Sequence, residues 1–288
     1  MLRDARDYQI LFLSLFLVLG IALRDWTLRP EMVAIAAVTC LSTQGLLSLL
    51  QSRWLQPSSL NEQSAQPKAS HLQLNWRSPL ITALGLSLLL RVDHLSTMAL
   101  ASSLAIASKF LLKTEDKHFF NPANFGIIAV LLLTQDAWVS PGQWGEDMWY
   151  GLIFLGAGGL VLKRVGRWDT TVAFLGSYTL LEALRNVYLG WTWDVLAHRL
   201  MSGSLLLFAL FMVTDPRSIP NARAARLLWA SAIAVLTFVL RNYFYQPDAV
   251  FWALFIVSPG TLLLDRLWSA QRFEWQAGTR SAALLEGN

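Results

Sequence analysis

Apolar stretches of near membrane-spanning length recur along the whole chain, cut by breaks that carry charge, proline or glycine. They fall near residues 8–23, 31–50, 78–90, 95–112, 119–135, 149–163, 170–188, 196–213, 226–244 and 248–266. A lipid core of about 30 Å takes about 20 helical residues to cross. Within lipid, only structures that satisfy their own backbone hydrogen bonds persist. The pattern therefore predicts an all-α integral membrane protein with about ten transmembrane helices. Composition agrees, because charged residues are only 15% of the 288 and mean hydropathy is +0.44. A soluble domain carries about 25%. The chain reads as a single membrane domain, 1–288, with a flexible cytoplasmic loop at 51–77 rich in Ser, Gln and Pro. Segments 78–90 and 119–135 are short, which predicts half-helices or tilted segments whose ends protein must cover.

Charge placement supports the span count. Alternating the ten segments puts sixteen of the 23 Lys and Arg on the side of the N-terminus, among them Arg6, Arg53, Arg77, Lys113, Lys163, Arg217 and Arg266. Six lie on the other side, and Lys109 falls inside a span. By the positive-inside rule both termini are cytoplasmic, in a bacterial-type plasma (inner) membrane. The net charge of +4 is thus topological, and nucleic acid is not an expected partner. The loop at 136–147 has no Lys or Arg and fits the outer side. Many of the thirteen tryptophans, such as Trp138, Trp191 and Trp193, flank span ends as an aromatic belt does. No cleavable signal peptide is read at the start, since Arg24-Asp25 follows the first apolar run. The single cysteine, Cys40, lies in an apolar run and reads as packing. The four histidines show no metal-ligand spacing, and His94 and His118 are expected in interfacial loops.

A few residues are costly in lipid. Lys109, near the inner end of the fourth span, either pairs with an anionic group or snorkels to the interface. Glu182 and Arg185 are three apart and can pair on one helix face. In FFNPANFGI, Asn121-Pro122 starts or breaks a helix, and the amides of Asn121 and Asn124 then cap it or grip a polar ring edge. Asp215-Pro216 is a second such break on the same side. Two such breaks predict a pseudo-symmetric bundle whose broken helices meet near a site. Ser202 and Gly203 allow close approach of a helix or a ligand. No P-loop, dinucleotide fingerprint, zinc site or nucleophile–base set is present.

These landmarks, in this order, carry a resemblance. Between about Arg77 and Trp268 the chain resembles the D subunit of the Rnf electron-transport complex and, more distantly, the B subunit of the sodium-translocating NADH:quinone reductase. Lys109, Asn121, Pro122, Ala123 and Gly126 match that family's Lys and F-N-P-A-x-x-G stretch. Ser202-Gly203 followed by Thr214, Asp215 and Pro216 matches its Ser-Gly helix running into T-D-P. Arg241, Pro247-Asp248 and Asp265 fall at further family positions. In its short loop the chain is most similar to a UnbU-like branch, small proteins encoded beside enediyne biosynthesis genes. The resemblance implies a ten-helix fold and a flavin. The family attaches FMN to a threonine in the outer loop, but in 136–147 Ser140 is the sole hydroxyl and Thr134 falls inside the expected span. Covalent FMN is therefore not expected, and non-covalent riboflavin or FMN is. Lys109, Asn121, Asn124, Ser202, Gly203 and Asp215 are the expected cofactor residues.

The resulting expectation is a membrane subunit that relays electrons through a bound flavin or quinone, with ion movement coupled to it. Its partners are the lipid bilayer and other membrane or redox subunits, since no NADH or iron–sulfur site is present. One alternative is a transporter or accessory protein on the same scaffold without redox chemistry, for example in natural-product biosynthesis. Another is a structural subunit with no site of its own.

Overall fold

A computed structural model describes residues 4–23, 27–54, 76–114, 117–140 and 148–273. Among these the chain is all-α apart from two short strand pairs. The helices are α1 (Ala5–Leu23), α2 (Pro30–Trp54), α3 (Arg77–Leu89), α4 (Leu95–Leu111), α5 (Pro122–Leu133) and α6 (Met148–Val165). They continue as α7 (Trp168–Tyr188), α8 (Trp193–Leu200), α9 (Gly203–Leu207), α10 (Arg223–Asn242), α11 (Ala249–Val257) and α12 (Gly260–Leu267). A π-turn, Phe208–Met212, prolongs α9. The strands are β1 (Leu90–Val92), β2 (Lys113–Thr114), β3 (Lys117–His118) and β4 (Ala137–Val139).

Each expected apolar segment holds one helix or one bent pair. About ten helices were expected and twelve are found among the described residues, because two segments are broken. α8 meets α9 at 54° and α11 meets α12 at 48°. Pro259 explains the second break, since proline removes a backbone donor and clashes with the preceding turn. At the first, Ser202 takes an extended conformation (ψ 124°) between the two helices. Three helices are long and apolar enough to cross a membrane, or five if each bent pair is one span. Ten spans of full length are thus not present among the described residues, and α3, α4 and α5 are shorter apolar helices. The loop expected at 51–77 is narrower than expected, because α2 runs to Trp54 and α3 starts at Arg77. The rest of that loop, and 141–147 of the outer one, lie outside the described residues.

Polar bonds gather the helix ends into two layers, an inner one at the end where α1 starts and an outer one at the opposite end. In the inner layer, Arg77 at the start of α3 pairs with Asp7 of α1 at 2.5 Å. Lys109 at the end of α4 donates to Gln44 of α2 and Ser78 of α3 at 3.0 and 2.9 Å. Lys117 of β3 pairs with Asp265 of α12, and Arg226 of α10 with Asp169 of α7 at 2.7 Å. In the outer layer β1 pairs antiparallel with β4. Glu182 of α7 binds Arg199 of α8 and Asn242 of α10 at 2.9 and 2.8 Å. The expected Glu182–Arg185 pair is therefore replaced. Gly190, at φ +69°, turns the chain so that α8 returns against α7, and Arg185 lies 4.7 Å over the Trp191 ring instead. Between the layers the π-turn is wholly buried, with Phe208 packed on Phe174 at 5.1 Å and Phe251 at 5.7 Å. Cys40 is fully buried, its sulfur 3.8 Å from the Ser102 carbonyl, as a packing residue is.

One outer-layer carboxylate sets a pH dependence. Hydrogen bonds from Thr97 and then His94 hold the Asp136 carboxyl at about 2, below its ordinary 3.8. A depressed folded-state pKa stabilises above the ordinary value and fades as pH falls toward the depressed one. Wild type is expected to lose stability between about pH 4 and pH 2. Asp136→Asn should show less of that loss in a thermal-unfolding series across the same window.

Candidate functional site

At the inner end, a cavity of about 100 Å³ opens where α1, α3, α5, α6 and the end of the π-turn converge. Both Asx-Pro breaks line it, through Asn121 and Pro122 on one side and Asp215 and Pro216 on the other. Asn121 caps α5: its Oδ1 accepts from the Asn124 backbone N–H at 3.1 Å, and Pro122 occupies the first helical position, where no donor is needed. Its Nδ2 donates to the Met212 carbonyl at 3.3 Å, which joins the two breaks directly. The π-turn leaves Val213 N–H bonded to Phe208 O at 2.9 Å, and Thr214 bonds back to Leu210 O. Asp215 then turns into the cavity.

Asp215 is the cavity's acid. Its Oδ1 accepts the Arg217 N–H at 3.2 Å, and its Oδ2 lies 3.7 Å from His118 Nε2. Burial pushes this carboxyl up, but the bond and charge of His118 and the Arg217 N–H outweigh it and hold it below the usual carboxylate range. The cavity wall is otherwise apolar, with Leu88, Leu207, Leu210 and Phe211, while Arg6, Ser78 and Arg217 stand among its polar lining residues.

The expected site residues divide. Asn121 and Asp215 line the cavity. Lys109 does not, but its ammonium holds Ser78, which does. Asn124, one turn further along α5, is 1% exposed and donates to Phe251 O at 3.1 Å, while its Oδ1 is buried without a hydrogen-bond partner. Ser202 and Gly203 are not brought to this place. They sit at the outer end, because α9 and its π-turn run through the bundle between Ser202 and Asp215. There Ser202 lines a separate cavity of about 560 Å³ with Ser140, Arg241 and Asp248. His118 was expected in an interfacial loop and is instead buried, because β2 and β3 form a hairpin that folds it inward. Its place three residues before Asn121 was the available signal.

A model of the NQR2, RnfD, RnfE family matches residues 27–274. The chain belongs to this family. Relatives named as the D subunit of an ion-translocating oxidoreductase complex include one from Vibrio atlanticus, 35% identical over 134 residues, which is 46% of this chain and 37% of that protein. The relative of the same name from Stutzerimonas stutzeri is 35% identical over 121 residues, 40% of this chain and 33% of its own length. That from Actinobacillus pleuropneumoniae serotype 5b is 31% identical over 127 residues, 43% and 36% of the two chains. The chain thus spans about a third of the length of these relatives.

Proposed function

We propose that this member of the NQR2, RnfD, RnfE family is a membrane subunit of an Rnf-type electron-transport system and holds a non-covalent flavin in the inner cavity. The observation that carries the reading is the meeting of the two Asx-Pro helix ends across one cavity. The lining residues fit such a ring. Asp215 and Asn121 offer an acceptor beside donors, His118 and Ser78 add polar groups, and leucine and phenylalanine walls suit a flat apolar body. The unpartnered Asn124 Oδ1 adds a buried acceptor close by.

A bound flavin supplies electron carriage, and the protein supplies position and electrostatics. Asn121 and Asp215 orient the ring edge. Lys109, acting through Ser78, favours negative charge at that edge. The apolar wall excludes water. In this reading the helices lie in a bacterial-type plasma membrane with both termini cytoplasmic, the long ones crossing it and the short ones packed among them, and residues 77–268 form the core of one membrane domain. Electrons enter and leave through other redox subunits, with ion movement coupled to the transfer. Ser202 and Gly203 then belong to the outer cavity and not to this flavin.

Riboflavin or FMN fluorescence, titrated with detergent-purified protein, tests the assignment. Asp215→Ala or Asn121→Ala is expected to weaken binding by about tenfold, the effect of one lost hydrogen bond to a charged or buried group. Ser202→Ala should leave it unchanged. Equal weakening by Ser202→Ala would move the flavin to the outer end. A transporter without redox chemistry is the second reading, because the outer loop 136–147 lacks the threonine that the family's covalent flavin uses. That reading expects no flavin binding in the same titration.

A further inference from the structure

Helices α7 and α10 lie side by side and start at the same end. Asp169–Arg226 joins them there, Ser177–Ser231 at 3.0 Å in the middle and Glu182–Asn242 at the outer end. Their starts concentrate positive charge. Arg226 takes Asp169 at 2.7 Å, and Arg223 reaches the same oxygen only at 3.8 Å. Asp169 Oδ1 already accepts the Thr170 N–H. Arg167 stacks 5.5 Å over Phe273, and its Nε is buried without a hydrogen-bond partner. Arg223 and Arg226 thus share one carboxylate, and Arg167 lies within electrostatic reach of the same pair. The Arg223 side chain is 68% exposed and lies 5.9 Å over Trp168.

Apolar surface continues directly from this cluster. One turn on from Trp168, α7 exposes Val172, and just beyond Arg223, α10 exposes Leu227 and Leu228. Further along, Leu180 and Leu184 of α7 and Val235 of α10 are exposed as well. A charged cap with an excess of cations, an interfacial tryptophan and an apolar wall below it match a phospholipid with an anionic headgroup. An acidic soluble partner would use the cations but not the wall. We propose that the starts of α7 and α10 form a binding site for an anionic membrane phospholipid, its phosphate held by Arg167 and Arg223 and its acyl chains laid along both helices.

Native mass spectrometry of the full chain in zwitterionic detergent tests this, with titration by phosphatidylglycerol or phosphatidylcholine of identical acyl chains. The wild type is expected to take phosphatidylglycerol at least about tenfold more tightly, as two basic side chains at a headgroup would give. Arg167→Gln and Arg223→Gln should each lower that preference about fivefold. Arg223 is the safer variant, because its exposed side chain contributes little to the core. Arg29→Gln, at the opposite end beside Glu31, should leave the preference unchanged. Inorganic phosphate at millimolar concentration should fail to displace the lipid. The proposal is overturned if the two lipids bind equally, which would leave the cluster to an acidic protein partner. It is also overturned if Arg29→Gln acts as strongly as Arg223→Gln, or if inorganic phosphate competes fully.

Discussion

Asp169→Asn is expected to destabilise the protein by about 3–5 kcal/mol, the cost of leaving one member of a buried ion pair uncompensated. Asp169 is 5% exposed, and Arg226, also 5% exposed, donates two guanidinium hydrogen bonds to it at 2.7 and 3.3 Å. Arg223 reaches the same oxygen at 3.8 Å, so removing the carboxylate takes the ion-pair partner from both arginines. The protein carries its own reporter for the measurement. Cys40 is the sole cysteine and is fully buried, so a thiol-reactive fluorophore reads unfolding directly. The variant's melting transition should fall well below wild type. The double replacement Asp169→Leu with Arg226→Met should recover much of the loss, because it leaves no buried charge. An Asp169→Asn transition that coincides with wild type would show that water or lipid headgroups already solvate Arg226.

Gly126→Ala should be the other severe change, about 1–3 kcal/mol, the usual range for overpacking. A Cβ at this position would lie 2.6 Å from the Ala101 carbonyl oxygen and 2.8 Å from Ala105 Cβ. The first of these is α4 backbone, which cannot rotate away as a flexible side chain would. α5 would have to shift, and α5 carries Asn121 and Asn124. The substitution should therefore also weaken flavin binding, although Gly126 does not line the cavity. Gly45→Ala is the matched control, with nothing within 4 Å of its added Cβ. It should be neutral or slightly stabilising through helix propensity. Equal effects from the two substitutions would mean that α4 and α5 are not in contact as described.

Much of this arrangement was legible in the sequence. Apolar length located all ten helix-bearing segments, because a lipid-facing segment must satisfy its own backbone, but not the breaks at Ser202 and Pro259 that divide two of them. Asn121-Pro122 and Asp215-Pro216 were visible as helix ends, since proline and its preceding residue restrict the local backbone wherever they stand. Their meeting is tertiary, through an Asn121 bond to Met212 that spans 91 positions. Ser202 and Gly203 lay close in sequence to Asp215 but belong to the opposite end, because a helical segment advances about 1.5 Å per residue and carries them away. The partner of Glu182 was misread for a related reason. Local spacing favoured Arg185, whereas the turn at Gly190 delivers Arg199 from the next helix. The burial of His118 depends on a two-residue hairpin too short to leave an alternating pattern.

The most direct test of the flavin assignment is an absorbance and fluorescence scan of the gently detergent-purified protein, before and after acid denaturation, with riboflavin and FMN offered to any colourless preparation. The account expects a flavin spectrum that acid releases into the soluble fraction, since no threonine in 136–147 is available to hold it covalently. A protein that stays colourless and retains neither added flavin would contradict it, and would reduce Asn121 and Asp215 to the caps of two helix ends.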